Sequence, residues 1–171
     1  MAELDDIINR RRSSRMFLPD KAVPADALNE ALTLAMRAPS NSNVQPWRVF
    51  LAVGERRDRL AAAMVAAARA EPPKAMDCPN PMHRDLGMAD AVGVGMFLQT
   101  LLLALTERGI DSCVQVSTAL YPNIVREHLG IPDELRVLCG VCIGYADPNF
   151  AANHLAVPRN PLAQNVEILD D

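Results

Sequence analysis

The chain has 171 residues, which suits one domain, and half of them are hydrophobic, so it can bury a sizeable core. The formal net charge of −4 argues against a general nucleic-acid binder, because such proteins need a basic surface to neutralise phosphates. The acidic stretch from Met1 to Asp6 does not resemble a signal peptide, and the most apolar run, Ala91 to Leu105, is shorter than the roughly 20 residues of a membrane span. We therefore expect one cytoplasmic domain over residues 1–171.

A short first helix is predicted from Leu4 to Arg11, because apolar residues recur there at helical spacing. It runs into residues 10–15, which read Arg-Arg-Arg-Ser-Ser-Arg. Two interpretations of this cluster are equally open. It is either a solvated helix end, where cations favour the negative pole of the helix dipole, or an anion site, since guanidinium forks and a serine hydroxyl suit a phosphate monoester.

The clearest helix is predicted from Ala25 to Ala38, where apolar residues follow the i, i+3, i+4 stripe. It ends at a polar loop, residues 38–47, which reads Ala-Pro-Ser-Asn-Ser-Asn-Val-Gln-Pro-Trp and carries the only tryptophan. Its two prolines stop both helical and strand patterns. The crowded amide and hydroxyl groups either hydrogen-bond the edge of a flat polar ring system or are solvated.

An apolar run closed by glycine, residues 48–54, predicts a buried strand, and an alanine-rich helix is predicted from Glu55 to Ala70. Residues 71–84 contain four prolines, which exclude a regular helix and a central strand. This part of the chain is therefore predicted to be an irregular and short connection.

The helix predicted from Met88 to Arg108 is apolar over almost its whole circumference. Such a helix must be buried in a large core or in a subunit interface. Because a domain of this size has trouble surrounding a helix of about six turns, we expect a homodimer with this helix at its centre.

The last third of the chain is predicted to contain a short, mixed strand-like or loop segment, Ile110 to Ser117, a helix from Pro122 to Gly130, and a second strand from Arg136 to Tyr145. Residues 151–171 have little periodicity. They cannot make a core of their own, and we expect an extended arm that wraps another surface, such as a partner subunit.

Two of the four cysteines, Cys139 and Cys142, form a C-x-x-C motif inside the second predicted strand. A redox C-x-x-C is typical of a helix N-terminus, and side chains three apart on a strand point to opposite faces. The motif is therefore interpreted as ordinary buried thiols. No metal site is predicted, because no second C-x-x-C or suitably spaced histidine pair is present.

Five segments in order carry a family resemblance: residues 11–15, 38–47, 95–100 (Gly-Met-Phe-Leu-Gln-Thr), 143–148 (Ile-Gly-Tyr-Ala-Asp-Pro) and 158–162 (Pro-Arg-Asn-Pro-Leu). Together they resemble the FMN-dependent nitroreductase family. The resemblance implies an α+β fold, with a central, mostly antiparallel sheet flanked by helices, in an intertwined homodimer. It also implies two FMN sites at the dimer interface and an NAD(P)H-dependent flavin oxidoreductase that passes hydride through the flavin to nitroaromatic or quinone-type acceptors.

The same resemblance implies site residues, all of them for cofactor binding. The phosphate and ribityl contacts would be made by Arg11, Arg12, Ser13 and Arg15, with Arg159 also near the phosphate. The flavin-facing loop, contributed by the other subunit, would use Pro39, Ser40 and Asn43, with Gln45 and Gln115 as further candidates. No catalytic side chain is implied, since the chemistry belongs to the flavin.

The chain departs from the family pattern in its middle, because residues 71–84 stand where members usually carry extra helices and an apolar strand. This leaves two further functions open. One is a flavin-binding or assembly protein without turnover, and the other is a different reductive chemistry on the same scaffold, such as dehalogenation or flavin destruction. No nucleic-acid or membrane partner is expected, and the substrate is expected to be a small molecule.

Overall fold

The computed structural model of the chain describes residues 3–70 and 88–169. These residues form five α-helices and two β-strands, with short 3-10 turns between them. The helices and strands are α1 (Leu4–Arg10), α2 (Ala25–Ala35), α3 (Gly54–Ala70), α4 (Met88–Glu107), β1 (Asp111–Gln115), α5 (Pro122–Leu129) and β2 (Gly140–Gly144). The predicted irregular segment, residues 71–84, lies outside the described residues.

The main core is built on α4. Phe97, Leu101 and Leu105 are buried on this helix and pack against Ala31 and Ala35 of α2. The two alanines let the helix backbones approach closely, and larger side chains on α4 fill the remaining space. The core therefore joins the second half of α2 to the C-terminal half of α4.

The C-terminal end of α4 is set by glycine. The predicted helix end at Arg108 is one residue too long, because Gly109 follows with a φ of +68°, in the left-handed region that ends helices. Gly130 ends α5 in the same way, with a φ of +66°. A sharp turn after α4 brings β1 back beside the helix, so the core and the sheet are directly connected.

One side of α4 is left uncovered within a single chain. Val92 is 54% exposed, and only a third of the apolar window Ala89–Glu107 is buried. By length and composition alone this helix could cross a membrane, and it is the one such helix among residues 3–70 and 88–169. The core helix of a water-soluble domain passes the same test.

The sheet is antiparallel, and the N-terminal segment lies along it. β1 pairs with β2 so that Asp111 is opposite Gly144. Ser13 forms a parallel bridge to Ser112, and Phe17 forms an antiparallel bridge to Ala146. A side chain at position 144 would place its Cβ 2.9 Å from Phe17 Cδ1, so glycine is required for this close approach.

Two strand predictions need correction. The buried strand predicted at residues 48–54 is wrong: residues 48–53 are in no strand, Val49, Leu51 and Val53 are exposed, and Gly54 begins α3. An apolar run becomes a strand only where a neighbouring strand satisfies its backbone, and in the described part of the chain neither β1 nor β2 pairs with residues 48–53. The second predicted strand is limited to Gly140–Gly144, because β1 offers only five residues to pair with.

A second, smaller core joins α3 and α5. Val125 of α5 is buried with Ala119 and Val137, and Leu60 and Met64 of α3 pack against them. This contact fixes α3 without burying any of its residues fully.

The end of the chain lies on the surface. A 3-10 turn, Ala151–His154, is followed by residues 155–169, all of which are exposed. Several of these side chains are large and apolar, including Leu155, Val157, Leu162, Ile168 and Leu169. Within one chain this arm therefore leaves a row of apolar side chains in water.

Candidate functional site

Backbone hydrogen bonds fix the arginine segment, residues 11–15, in place. The Ser14 amide donates to the Ser112 carbonyl oxygen at 3.0 Å, and the Arg15 amide donates to Asn153 Oδ1 at 2.7 Å. Asn153 Nδ2 in turn donates to the Met16 carbonyl oxygen at 2.8 Å. The segment is thus held between the sheet and the turn at 151–154, while the Arg12 and Arg15 side chains remain exposed.

The Asp111 side chain joins this segment to the sheet. Its Oδ1 accepts a hydrogen bond from Ser14 Oγ at 3.2 Å, and its Oδ2 accepts one from the Ala146 amide at 2.9 Å. Ser14 is buried, so the carboxylate links the arginine segment to the residues after β2 in a partly buried position. The sequence analysis missed Asp111 and Asn153.

The arginine side chains of the segment have no hydrogen-bond or ion-pair partner in the part of the chain that the structure describes. The side chains of Arg11, Arg12, Ser13 and Arg15 make no hydrogen bond or ion pair with any residue in the described ranges. By contrast, Arg57, Arg59 and Arg108 pair with carboxylates at 2.7–3.3 Å. Three guanidinium groups and a hydroxyl within five residues, all without a partner among the described residues, are a donor set that fits a phosphate monoester.

A cavity of about 200 Å³ opens beside the arginine segment. Its walls come from the end of α1, the end of α4 and the start of β1. The lining residues are Arg10, Arg12, Thr106, Gly109, Ile110 and Asp111.

The polar loop, residues 38–47, has an unusual backbone. Ser42, Asn43 and Gln45 have φ values of 47°, 56° and 49°, in the left-handed region that favours glycine. Each such residue costs on the order of 1–3 kcal/mol unless its surroundings hold it, and such strain is typical of binding sites. Here Ser40 Oγ accepts a hydrogen bond from the Gln45 amide at 3.0 Å, which closes the loop on itself.

Packing against α4 anchors the same loop. The Trp47 ring stacks on Phe97 with centroids 5.1 Å apart, and Trp47 Nε1 donates to Met36 Sδ at 3.2 Å. Gly93 lets Pro46 approach α4, since a Cβ there would lie 3.3 Å from Pro46 Cγ. Buried Trp47 thus holds a loop whose Pro39, Asn43 and Gln45 side chains are exposed.

Gln115 and Arg159 stand apart from both groups. Gln115 Nε2 donates to Cys113 Sγ at 3.3 Å on β1. Arg159 is exposed, and its guanidinium donates to the carbonyl oxygens of Val157 at 3.0 Å and Pro158 at 3.4 Å. Among the described residues, no hydrogen bond or ion pair links either side chain to the arginine segment or to the polar loop.

The C-x-x-C motif lacks the electrostatics of a redox site. Burial raises the pKa of the Cys139 thiol, and burial, followed by the nearby Cys113, raises the pKa of the Cys142 thiol. The fast-reacting thiol of a redox C-x-x-C pair has a lowered pKa, which neither cysteine of this motif has. The prediction of buried thiols is wrong, because Cys139 is only partly buried and Cys142 is exposed. Within the described ranges no group of three or more His, Cys, Asp or Glu residues is placed to hold a metal ion.

We predict that Asp111→Ala lowers the free energy of unfolding by about 1–3 kcal/mol, because it leaves the Ala146 amide and the Ser14 hydroxyl without their acceptor. Asp111→Asn is the matched control, since its amide oxygen still accepts one of the two bonds. Urea unfolding followed by circular dichroism measures both variants. Equal stability of the alanine variant and the unaltered protein would show that Asp111 does not hold the segment.

The sequence matches the nitroreductase family profile over residues 8–82 and 80–145. The nitrobenzene nitroreductase of Ectopseudomonas oleovorans is 28% identical to this chain, over 94% of each protein. The nitroreductase NfnB of Mycolicibacterium smegmatis is 31% identical, over 92% of this chain and 89% of that protein. The crystal structure of the FMN-dependent nitroreductase NfnB from Mycobacterium smegmatis in complex with NADPH is similar, with a TM-score of 0.83 at 28% identity, covering 98% of this chain and 100% of that one. This likeness confirms the predicted α+β fold.

The chain is shorter than these relatives inside the matched span. The first alignment runs over 215 positions, so at least 44 of them (215 minus 171) have no residue of this chain. The two segments of the family match overlap at residues 80–82, inside the short connection predicted at 71–84.

Proposed function

The chain belongs to the nitroreductase family, and we propose that it is an FMN-dependent oxidoreductase that takes hydride from NAD(P)H and reduces small-molecule acceptors. The observation that carries the proposal is the cluster of three guanidinium groups and one hydroxyl at residues 11–15, none of which has a hydrogen-bond or ion-pair partner among the described residues. A similar nitroreductase was crystallised as an FMN-dependent enzyme in complex with NADPH. The phosphate of FMN fits the guanidinium and hydroxyl donors at residues 11–15.

The phosphate of FMN would be held by Arg11, Arg12, Ser13 and Arg15. Asp111 keeps the backbone of this segment against the sheet, so the arginine side chains can bind without a large loss of backbone freedom. Arg159 would reach the phosphate by exchanging two bonds to its own backbone for stronger, charge-assisted ones.

The flavin ring would be contacted by the polar loop and by Gln115. Pro39, Ser40, Asn43 and Gln45 lie on a loop that is rigidly anchored but exposed at its tip, which suits contacts with the polar edge of a flat ring. When bound, FMN supplies the hydride-transfer chemistry. The residues of the chain bind and orient the ring, and no side-chain acid or base is assigned.

A homodimer would complete the site. In one chain the apolar surface of α4 around Val92 and the apolar side chains of the C-terminal arm are exposed. Covering both with a second copy removes this surface from water, and an apolar patch of this kind is typical of a subunit interface. The polar loop of one subunit would then face the arginine segment of the other. We place the dimer in the cytoplasm.

Nitroaromatic compounds are proposed as acceptors, because a similar protein is a nitrobenzene nitroreductase, and quinones are proposed as a second class of acceptor. A second function, flavin binding without efficient turnover, is favoured by one observation: at least 44 aligned positions of a relative are missing from this chain. If those positions help to form the substrate pocket, FMN would bind but acceptor reduction would be slow.

Anaerobic titration of the FMN-loaded protein with NADPH, and separately with NADH, tests the proposal. We expect the flavin absorbance to bleach with one of the two and to return when nitrobenzene or a quinone is added. Bound flavin that neither nucleotide bleaches would support the passive binder. A protein that takes up no FMN would overturn both functions.

A further inference from the structure

Two cysteines lie directly opposite each other in the sheet. The register pairs Cys113 of β1 with Cys142 of β2. In an antiparallel pair, opposite side chains leave the same face, and their Cα atoms lie about 5.5 Å or about 4.5 Å apart, depending on whether the pair is hydrogen-bonded. Both separations fall within the range of about 4.4–6.8 Å that disulfides use. Both thiols are free in this structure.

The strand register favours a disulfide between Cys113 and Cys142 over one within the C-x-x-C motif. Cys139 precedes β2 by one residue, so along an extended backbone its side chain leaves the face opposite to that of Cys142. Cys78 lies outside the described residues. The register thus places only Cys113 and Cys142, of the three described cysteines, opposite each other on one face.

We propose that Cys113 and Cys142 are a reversible thiol–disulfide switch, oxidised by hydrogen peroxide or another hydroperoxide. The exposed Cys142 thiolate attacks a peroxide oxygen, the O–O bond breaks, and a sulfenic acid and a hydroxide form. Cys113 then attacks the Cys142 sulfur, the S–O bond breaks, and a second hydroxide leaves. The two thiol protons convert the hydroxides to water, so two thiols are oxidised and one hydrogen peroxide is reduced to two waters.

The two thiols are suited to different steps. Cys142 is exposed and meets the oxidant first, whereas Cys113 is buried and is protected from direct attack. Although Cys142 is exposed, the surrounding protein partly desolvates its thiol and raises its pKa, so its thiolate is scarce at neutral pH and the first step is slow. The pair would therefore respond to sustained oxidant. Transient disulfides of this kind are the usual form in reducing compartments.

The switch is connected to the proposed flavin site. Gln115 Nε2 donates to Cys113 Sγ, the sulfur that would move when an S–S bond of about 2.05 Å forms. The hydrogen bond from Gln115 to this sulfur would then break or change its geometry. An effect of this change on FMN binding rests on the proposed function, in which Gln115 contacts the flavin. The formation of the disulfide does not rest on it.

The test treats the intact protein with hydrogen peroxide, alkylates the remaining thiols and maps linked peptides by mass spectrometry without reduction. We expect two of the four thiols to be lost, a linkage between Cys113 and Cys142, and full recovery with dithiothreitol. Cys139→Ser should keep the linkage, and Cys142→Ser should abolish it with an unchanged circular dichroism spectrum. A linkage through Cys78 or Cys139, or four thiols that survive in the folded protein, would overturn the proposal.

A second measurement separates the switch from the flavin proposal. FMN affinity is compared before and after oxidation, and we expect it to weaken about two- to tenfold, as for the loss of one hydrogen bond. A mapped Cys113–Cys142 linkage with unchanged FMN affinity supports the switch and overturns its connection to Gln115. If neither state binds FMN, the proposed function fails, while the peptide map still decides the switch.

Discussion

Replacing Arg15 by alanine should lower the affinity for FMN about ten- to a hundredfold without destabilising the protein. A hydrogen bond to a charged group contributes about 1.5–3 kcal/mol, and about 1.4 kcal/mol is a factor of ten in affinity. The Arg15 side chain is exposed and contacts no described residue through a hydrogen bond or an ion pair, so its loss breaks nothing inside the chain. Quenching of FMN fluorescence on titration measures the affinity.

The control variant is Arg57→Ala. Arg57 is an exposed arginine of α3 that pairs with Asp58 at 2.7 Å, and its removal should leave FMN affinity unchanged. Arg159→Ala should also weaken binding, while the proposed dimer should persist. If flavin occupancy is the same in the Arg15 and Arg159 variants as in the unaltered protein, the phosphate does not bind at the arginine segment.

Added salt should weaken FMN binding to the unaltered protein more than to Arg15→Ala.

The helices could be predicted closely because their signals are local. The apolar stripe of α2 and the run of α4 lie within single segments, and Pro122 and Gly130 mark the ends of α5. The α+β class and the family followed from short motifs in a fixed order, which the family match confirms. The predicted end of α2 at Ala38 was three residues too late, because the chain turns before Pro39.

The strands and the site geometry could not be predicted in the same way, since they depend on partners far along the chain. The run at 48–53 is apolar enough for a strand, but no strand of the described residues pairs with it. The Ser14–Asp111 hydrogen bond joins residues 97 positions apart, and no local pattern marks either one as a partner. The same is true of Cys113 and Cys142, which only the register brings together. The assignment of single residues to FMN stays a prediction.

Trp47→Ala should be the most destabilising single change near the site. Trp47 is 6% exposed and stacks on Phe97, so its removal leaves a large cavity between the polar loop and α4. Truncating a buried tryptophan costs about 3–5 kcal/mol, a large part of the roughly 5–15 kcal/mol by which a domain is stable. At about 2–4 °C per kcal/mol for a chain of this length, the melting temperature should fall by about 6–20 °C. Because Trp47 is the only tryptophan, unfolding is followed by far-ultraviolet circular dichroism.

The control, Trp47→Phe, separates ring packing from the hydrogen bond to Met36. Phenylalanine keeps an aromatic ring against Phe97, but it is smaller and lacks the indole N–H that donates to Met36 Sδ, so it should cost less than Trp47→Ala. Because Trp47 anchors the loop that carries Ser40, the alanine variant should also bind FMN more weakly at a temperature where it is still folded. Equal destabilisation by both substitutions would assign the stability to the hydrogen bond. Unchanged FMN affinity in folded Trp47→Ala would remove the polar loop from the site.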